Sequence, residues 1–383
     1  ITEKFSFLQI KMKNIIEKLR KYASETTLAE VIEAGEREKG TAADFDPDSI
    51  GIANGNFFGL PCTGEDAETV LIQVPWDATA SYGKGTAEGP AAMLAASLQV
   101  DLFDERYPDV AGMKVWTLPQ EDSIAELNAG AGKISAMVVS ALEQGADPAA
   151  LTGLCRQVDA ASEAVNSYVE STAEEYLSQG KKVAVVGGEH SVPLGLIKAL
   201  ARRFPGMGVL HIDAHSDTRE AYEGFRYSHA SIMYNVMKEV PGVSRIVQAG
   251  IRDFCSAEHA LTSSSDRFVT FTDFYLKDSL YSGSTWKELC DRIIEALPQN
   301  VYVSFDIDGL SPEYCPGTGT PVPGGLSFSQ ADWLLYRLAV SGRRIVGFDL
   351  CEVAPGAGEW DANSGVRMLF RLLAAMTFSI REK

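Results

Sequence analysis

Long apolar runs are absent from this 383-residue sequence, and none approaches the roughly 18–20 residues that a bilayer-spanning helix needs. No membrane partner is expected. Residues 1–23 mix Glu, Lys and Arg with Ile and Leu, and they lack the apolar core of a secretory signal. Cysteine is sparse: Cys62, Cys155, Cys255, Cys290, Cys315 and Cys351 are scattered with no CxxC pair. That spacing excludes a thiolate zinc cage and suggests reduced thiols in a cytoplasmic protein. Positive charge is also short, since 34 Lys and Arg face 52 Asp and Glu, a formal charge of −18. Such a field repels phosphate backbones, so nucleic acid is not an expected partner. It would favour a cationic ligand, although acidity also serves solubility alone.

What remains is a globular composition, 45% apolar and 22% charged, able to bury a large core. From residue 70 onward, short β-rich apolar runs alternate with longer stretches of helical period. Strands are predicted at 70–74, 182–186, 208–212, 245–249, 267–271, 301–305 and 345–349. Their continuous apolar character suits strands covered on both faces, hence a parallel α/β sheet. Helices are predicted at 8–23, 90–99, 156–179, 192–203, 229–239, 284–297, 328–341 and 364–377, with Asn363 and Ser364 as caps for the last. Residues 121–160 read as a helical insertion. Residues 1–50 read as an N-terminal helical extension, and 51–383 as the catalytic domain.

Only five histidines occur, and His190, His211, His215 and His229 fall within 40 residues. The predicted strands around them end in VVGGEH, HIDAHSD and SFDID, which bring out His190, then Asp213, His215 and Asp217, then Asp306 and Asp308. In open α/β sheets, sites form beyond the carboxyl ends of strands. Residues two apart on an extended strand share a side, so Asp213 with His215 and Asp306 with Asp308 can act in pairs. Four carboxylates and two imidazoles crowded together cannot all stay charged and unpaired. Two divalent cations balance the four acids, and the absence of cysteine favours Mn2+ or a similar oxygen-preferring ion. GFDLCEVAP brings Glu352 toward the same crevice, and PGTGTPVPGGL at 316–326 reads as a tight Gly/Pro lid. His211 is assigned to the core or to ligand support, facing away from Asp213, and His259 to the surface.

Several ordered motifs resemble those of the ureohydrolase family, the arginases, agmatinases and relatives. They are FFGLP at 57–61, VPWDATASYGKGTAEGP at 74–90, GGEHS at 187–191, DAHSD at 213–217, SHAS at 228–231, SFDIDGLSPEYCPGTGTPVPGGL at 304–326 and GFDLCEVAP at 347–355. The resemblance implies a three-layer α/β/α sandwich with a parallel sheet of about eight strands, and hydrolysis of a guanidino compound to urea and an amine. It makes His190 and Asp217 terminal ligands of one Mn2+, His215 and Asp308 of the other, and Asp213 and Asp306 the bridges. Ni2+ or another divalent ion would fit the same set. By the same resemblance Asp217 also accepts a hydrogen bond from the attacking water, His229 shuttles protons and Glu352 holds the guanidinium. A homo-oligomer, trimeric or hexameric, is implied as well.

Two positions depart from the family pattern, Glu189 in GGEHS and Ser311 before Pro312; neither removes a ligand. The substrate tail is less defined. Arg219 would pair with a carboxylate tail, whereas Glu220 and Glu223 would attract an ammonium tail as in agmatine. An agmatinase-like assignment leads, followed by guanidino-acid hydrolase, arginase and free-guanidine hydrolase. Deacetylases, with one zinc, and a non-catalytic metal-binding protein are the competing classes.

Overall fold

In a computed structural model that describes residues 45–379, eight strands form one all-parallel sheet flanked by helices. They are β1 (Thr69–Val74), β2 (Val115–Leu118), β3 (Lys182–Gly187), β4 (Met207–Ile212), β5 (Val243–Ile251), β6 (Phe268–Thr272), β7 (Asn300–Asp306) and β8 (Arg344–Cys351). The spatial order is β2-β1-β3-β8-β7-β4-β5-β6. β1 and β4 are buried at every residue, as their unbroken apolar runs require of strands covered on both faces. All seven predicted strands are present. The eighth, β2, pairs only with β1; its four residues at a sheet edge are too short to carry a pattern.

The helices are α1 (Gly89–Ala96), α2 (Asp122–Glu143), α3 (Pro148–Ser178), α4 (Leu194–Arg203), α5 (Ile232–Glu239), α6 (Ser256–Ser264), α7 (Asp273–Tyr281), α8 (Trp286–Glu295), α9 (Phe328–Ala339) and α10 (Trp360–Ser379). The predicted insertion at 121–160 is the start of a helical hairpin, α2–α3. Gly145 ends its first helix at φ +84, where glycine carries no steric penalty. Asp147 then caps α3 by accepting from Ala149 N–H at 3.0 Å, with Pro148 at the first turn. Thr285 with Glu288, and Ser327 with Gln330, form capping boxes on α8 and α9. α10 corrects the expected cap: it starts at Trp360, so Asn363 and Ser364 lie inside it. Contacts to the 313–317 loop hold that earlier start, Trp360 Nε1 to Glu313 O at 2.8 Å and Gly317 N–H to Asp361 at 2.6 Å.

The expected helix at 8–23 lies outside the described residues, as does most of the expected 1–50 extension. No helix among the described residues is long and apolar enough to cross a membrane.

The strand order decides where the site forms. After β3 the chain skips ahead to β4, leaving a gap that β7 and β8 later fill. The carboxyl ends of β3, β8, β7 and β4 are therefore neighbours at the sheet centre, each about 4.8 Å from the next.

Candidate metal centre

Each central strand delivers its polar groups as it leaves the sheet. β3 continues through Gly187 and Gly188 to His190. Gly188 lies so close to β1's exit that a Cβ there would fall 2.1 Å from the Trp76 carbonyl, so only glycine lets the loop turn there. β4 runs into Asp213, His215 and Asp217. β7 ends at Asp306, and a single 3-10 turn, Ile307–Gly309, presents Asp308. β8 ends at Cys351, with Glu352 next in the chain.

The six predicted ligand residues come together. His190 Nδ1 lies 3.0 Å from Asp213 Oδ2, 3.4 Å from Asp217 Oδ2 and 3.3 Å from Asp306 Oδ2. His215 Nδ1 lies 3.1 Å from Asp308 Oδ2 and 3.5 Å from Asp213 Oδ1. Asp213 thus touches both imidazoles. Three groupings among the described residues have ligand atoms close enough for one ion, His190 with His211, Asp213 and Asp217, Asp213 with His215 and Asp308, and His190 with Asp349 and Cys351; the first two hold the predicted ligands. The backbone orients the acids: Asp213 Oδ1 accepts from His215 N–H at 2.6 Å, Asp306 Oδ1 from Asp308 N–H at 2.8 Å and Asp308 Oδ1 from Ala214 N–H at 3.0 Å. Beneath them, Ser304 Oγ lies 2.8 Å from His190 Nε2 and donates to Asp349 at 2.9 Å, and Tyr302 Oη also donates to Asp349 at 2.7 Å.

Electrostatics fit a cation-binding set. Burial, then the carboxylates of Asp308 and Asp213, push Asp306 well above the usual carboxylate range. Burial and Asp213 raise Asp217 to about 6. Burial would lower His190, but Asp213, Asp217, Asp306 and Asp349 overcome it and hold the ring protonated. Burial also opposes the proton on His215, and Asp308 and Asp213 hold it there. Protons thus sit on both imidazoles and on the Asp306 carboxyl, a charge balance that divalent cations would take over with both rings neutral. His211 corrects an expectation. Its Nε2 lies 2.8 Å from Asp213 Oδ2, because residues two apart on a strand share a side. Gln248 Nε2 faces its other nitrogen at 3.1 Å.

Glu352 and Asp217 are two of only four described non-glycine residues with positive φ, +64 and +53, a strain often found at functional sites. Glu352 Oε1 accepts from His190 N–H at 2.8 Å. Burial and Glu189 raise its carboxyl well above the ordinary range. His229, half-buried, turns its Nε2 toward Ser81 Oγ at 3.4 Å. Burial, then the charge of His215, lowers its imidazole to about 4. Glu189 binds no candidate ligand. It accepts from Trp76 Nε1 at 3.1 Å, Thr79 N–H at 2.8 Å and Ser191 Oγ at 2.6 Å, while Thr79 Oγ1 accepts from His229 N–H at 3.2 Å. Its length bridges the GGEHS turn to the His229 segment. His259 is exposed, as expected.

A cavity of about 410 Å³ opens over this cluster, and its lining includes His215, Asp217 and His229. Arg219 lines it too, but its Nε lies 3.7 Å from buried Glu258 and its guanidinium sits 4.7 Å over the Tyr222 ring. Glu220 and Glu223, expected to meet an ammonium tail, are not in the wall. The loop reverses at Glu223 and Gly224, φ +53 and +88, and Glu220 faces a separate groove with Arg226 and Lys238. Sequence reasoning missed Ser81, Tyr82, Asp253, Phe254 and Glu258 in the wall. Asp253 was findable: it lies two residues past β5, at the same carboxyl end of the sheet as the ligands.

The Gly/Pro lid is fastened by Arg252, also missed. Its Nη2 donates to the carbonyls of Asp308, Leu310 and Val322 at 2.7, 3.1 and 2.9 Å. A Cβ on Gly325 would strike that guanidinium at 2.9 Å, and Gly325 has φ +90.

Residues 67–375 match the model of the Arginase family. The N(1)-aminopropylagmatine ureohydrolase of Synechocystis sp. is 28% identical over 83% of this chain and 92% of that protein. The agmatinase of Neisseria meningitidis is 31% identical over 84% of this chain and 92% of its own length. The fold is shared with the agmatine ureohydrolase of Thermoplasma volcanium, TM-score 0.62 at 23% identity, over 88% of this chain and 96% of that one. These matches decide against the deacetylase class, and the chain belongs to the arginase family of metal-dependent ureohydrolases.

Proposed function

We propose that this chain hydrolyses a guanidino compound with a cationic tail, agmatine or a close relative, to urea and an amine. The observation that carries the tail assignment is the charge of the cavity wall. Arg219 is engaged by Glu258 and Tyr222, whereas Asp253 lines the cavity with no side-chain partner among the described residues. Once the ligand acids are balanced by cations, the wall keeps a net negative charge. The relatives named for agmatine and aminopropylagmatine support the same choice.

His190, Asp213, His215, Asp217, Asp306 and Asp308 would hold two divalent ions, with Mn2+ preferred by the oxygen-rich set and Ni2+ the nearest rival. Bound there, the ions would supply Lewis-acid activation of a water. The residues do the rest. Cations in the site and the positive charge of the guanidinium itself would both favour the ionised form of Glu352, whose carboxylate would then fix the electrophilic carbon through paired charge-assisted hydrogen bonds. His190 N–H steadies that carboxylate from behind. Asp217 accepts a hydrogen bond from the attacking water. His229 is neutral at rest and so can take up a proton at its cavity-facing Nε2, then deliver it to the departing amine nitrogen. Water and substrate together account for both products, urea and the protonated amine.

The catalytic unit is assigned to 51–383, with 1–50 as an appendage. All six cysteines are free, which supports a reducing, cytoplasmic setting. A homo-oligomer, trimer or hexamer, belongs to the same reading and is checked by analytical ultracentrifugation. The decisive experiment loads the full chain with Mn2+ or Ni2+, counts metal per chain and measures urea from agmatine, aminopropylagmatine, arginine, guanidinobutyrate and guanidine. The cationic-tailed substrates should lead. Faster turnover of guanidinobutyrate would make Arg219 the tail partner, and two bound metals with no urea from any compound would make the chain a non-catalytic metal binder.

A further inference from the structure

The α2–α3 hairpin contributes no candidate ligand and does not line the cavity, yet it holds two of the cavity's walls. On α2, Ile124, Ala131, Ser135 and Val138 are buried, at spacings that form one stripe. Asn128 falls in that stripe, and its amide pairs reciprocally with Asp77. Asp77 N–H donates to Asn128 Oδ1 at 2.9 Å, and Asn128 Nδ2 donates to Asp77 Oδ1 at 3.0 Å. The other oxygen, Asp77 Oδ2, accepts from Gly85 N–H at 2.9 Å, and Lys84 Nζ donates to the Asp77 carbonyl at 3.1 Å. Asp77 therefore closes the loop 77–85 at its base, and Asn128 ties that closure to the hairpin. The loop's tip carries Ser81 and Tyr82 into the cavity wall.

The opposite wall has its own attachment. Phe225 is buried among Val138, Cys155 and Val158 of the hairpin, and Arg226 N–H donates to Asp159 at 2.8 Å. Gly224 permits this approach, since a Cβ there would lie 2.7 Å from Cys155 Sγ. This anchor turns the segment so that Arg219 and Tyr222 face the cavity.

We propose that the hairpin sets which substrate tails the cavity accepts, with Asn128 as the positioning residue for the loop tip that carries Ser81 and Tyr82. This rests on the ureohydrolase reading above. The effect falls on the tail: among the described residues the one loop-tip contact to the catalytic ring, Ser81 Oγ to His229 Nε2, is long at 3.4 Å and so gives that ring little support. Thr79 is pinned by Glu189 independently of Asn128, so His229 keeps its support, and no bond of Asn128 reaches a candidate ligand.

The reciprocal pair supplies the test. Asn128→Asp sets two carboxylates against each other. In the double variant Asp77→Asn with Asn128→Asp, the new carboxylate at 128 accepts both donors from position 77, and the new amide oxygen at 77 takes the Gly85 N–H. The metal-loaded full chain is assayed for urea from agmatine and from free guanidine, with calorimetric Kd values for both and metal counted per chain. The single variant should raise KM and Kd for agmatine about tenfold with kcat unchanged, as expected for lost uniform binding. Guanidine and metal content should not move, and the double variant should restore agmatine. Equal losses on both compounds, an unchanged agmatine Kd, or a double variant no better than the single one overturns the proposal. If the unaltered chain releases no urea at all, the functional reading fails, while the agmatine Kd series still decides the role of Asn128.

Discussion

The floor and the walls of the cavity are built on different principles. The floor is made by strand ends. Asp306 is the last residue of β7 and Asp213 the first past β4, strands that pair directly, and a short turn through Gly188 brings His190 from β3 to the same place. The walls are made by loops, 77–85, 219–228, 253–258 and 320–322, held by scattered side chains such as Asn128, Glu258 and Arg252. A floor fixed by backbone pairing suits chemistry that needs exact charge placement. Walls fixed by replaceable side chains suit a tail pocket that can change its ligand without disturbing the reaction.

The largest effect should come from striking the floor. Asp306→Asn removes one carboxylate from the crowded set, and metal affinity should fall by more than the ~10- to 100-fold typical of outer-shell changes. Urea release should vanish with it. Metal counts by plasma emission spectroscopy, alongside the urea assay, check this, and normal turnover would remove Asp306 from the ligand set. His229→Ala stands at the boundary of floor and wall. Turnover should drop by about 10²- to 10⁴-fold, the range for a lost proton-transfer group, with two metals retained. Metal loss in that variant would make His229 a ligand.

That boundary also marks how far the sequence could be read. Continuous apolar runs announced the central strands, and a strand tip is a short fixed distance from its own sequence, so the convergence of His190, Asp213, His215, Asp217, Asp306 and Asp308 was legible. The walls were not. Asn128 is 51 residues from Asp77 and Arg226 is 67 from Asp159, and no local period links such pairs. Glu220 and Glu223 were assigned to the cavity from proximity in sequence to Asp217, but the reversal at Gly224 turns the segment, and only Arg219 and Tyr222 face inward. The edge strand β2 was too short to show a period, and α6 and α7 each bury a single residue, Glu258 and Leu276, so no apolar stripe marks them.

Acidity probes the floor without mutation. In the metal-free chain, neighbouring carboxylates keep His190 and His215 protonated above their ordinary range. A cation must displace those protons, so apparent metal affinity rises with pH. The slope should be about tenfold per pH unit for each proton released. Titrations with Mn2+ between pH 6 and pH 8 in two buffers of different ionisation enthalpy count the protons; a pH-independent affinity would mean that the rings are already neutral.

The smallest predicted effect belongs to the wall and separates it from the floor. Asp253 is exposed and without a side-chain partner among the described residues, although its backbone is fixed beside β4, where Asp253 N–H donates to Ala214 O at 3.0 Å. A substrate ammonium would meet it in a solvent-filled cavity, so its contribution should be near the upper end for an exposed ion pair, about 1 kcal/mol. Asp253→Asn should accordingly raise the KM for agmatine by about fivefold and weaken under added salt, with kcat unchanged. Free guanidine, which has no tail to reach Asp253, should be hydrolysed at the original rate. A kcat loss shared by both substrates would place Asp253 with the floor, because its backbone bond to Ala214 would then be acting through the neighbouring Asp213 and His215 rather than on the tail.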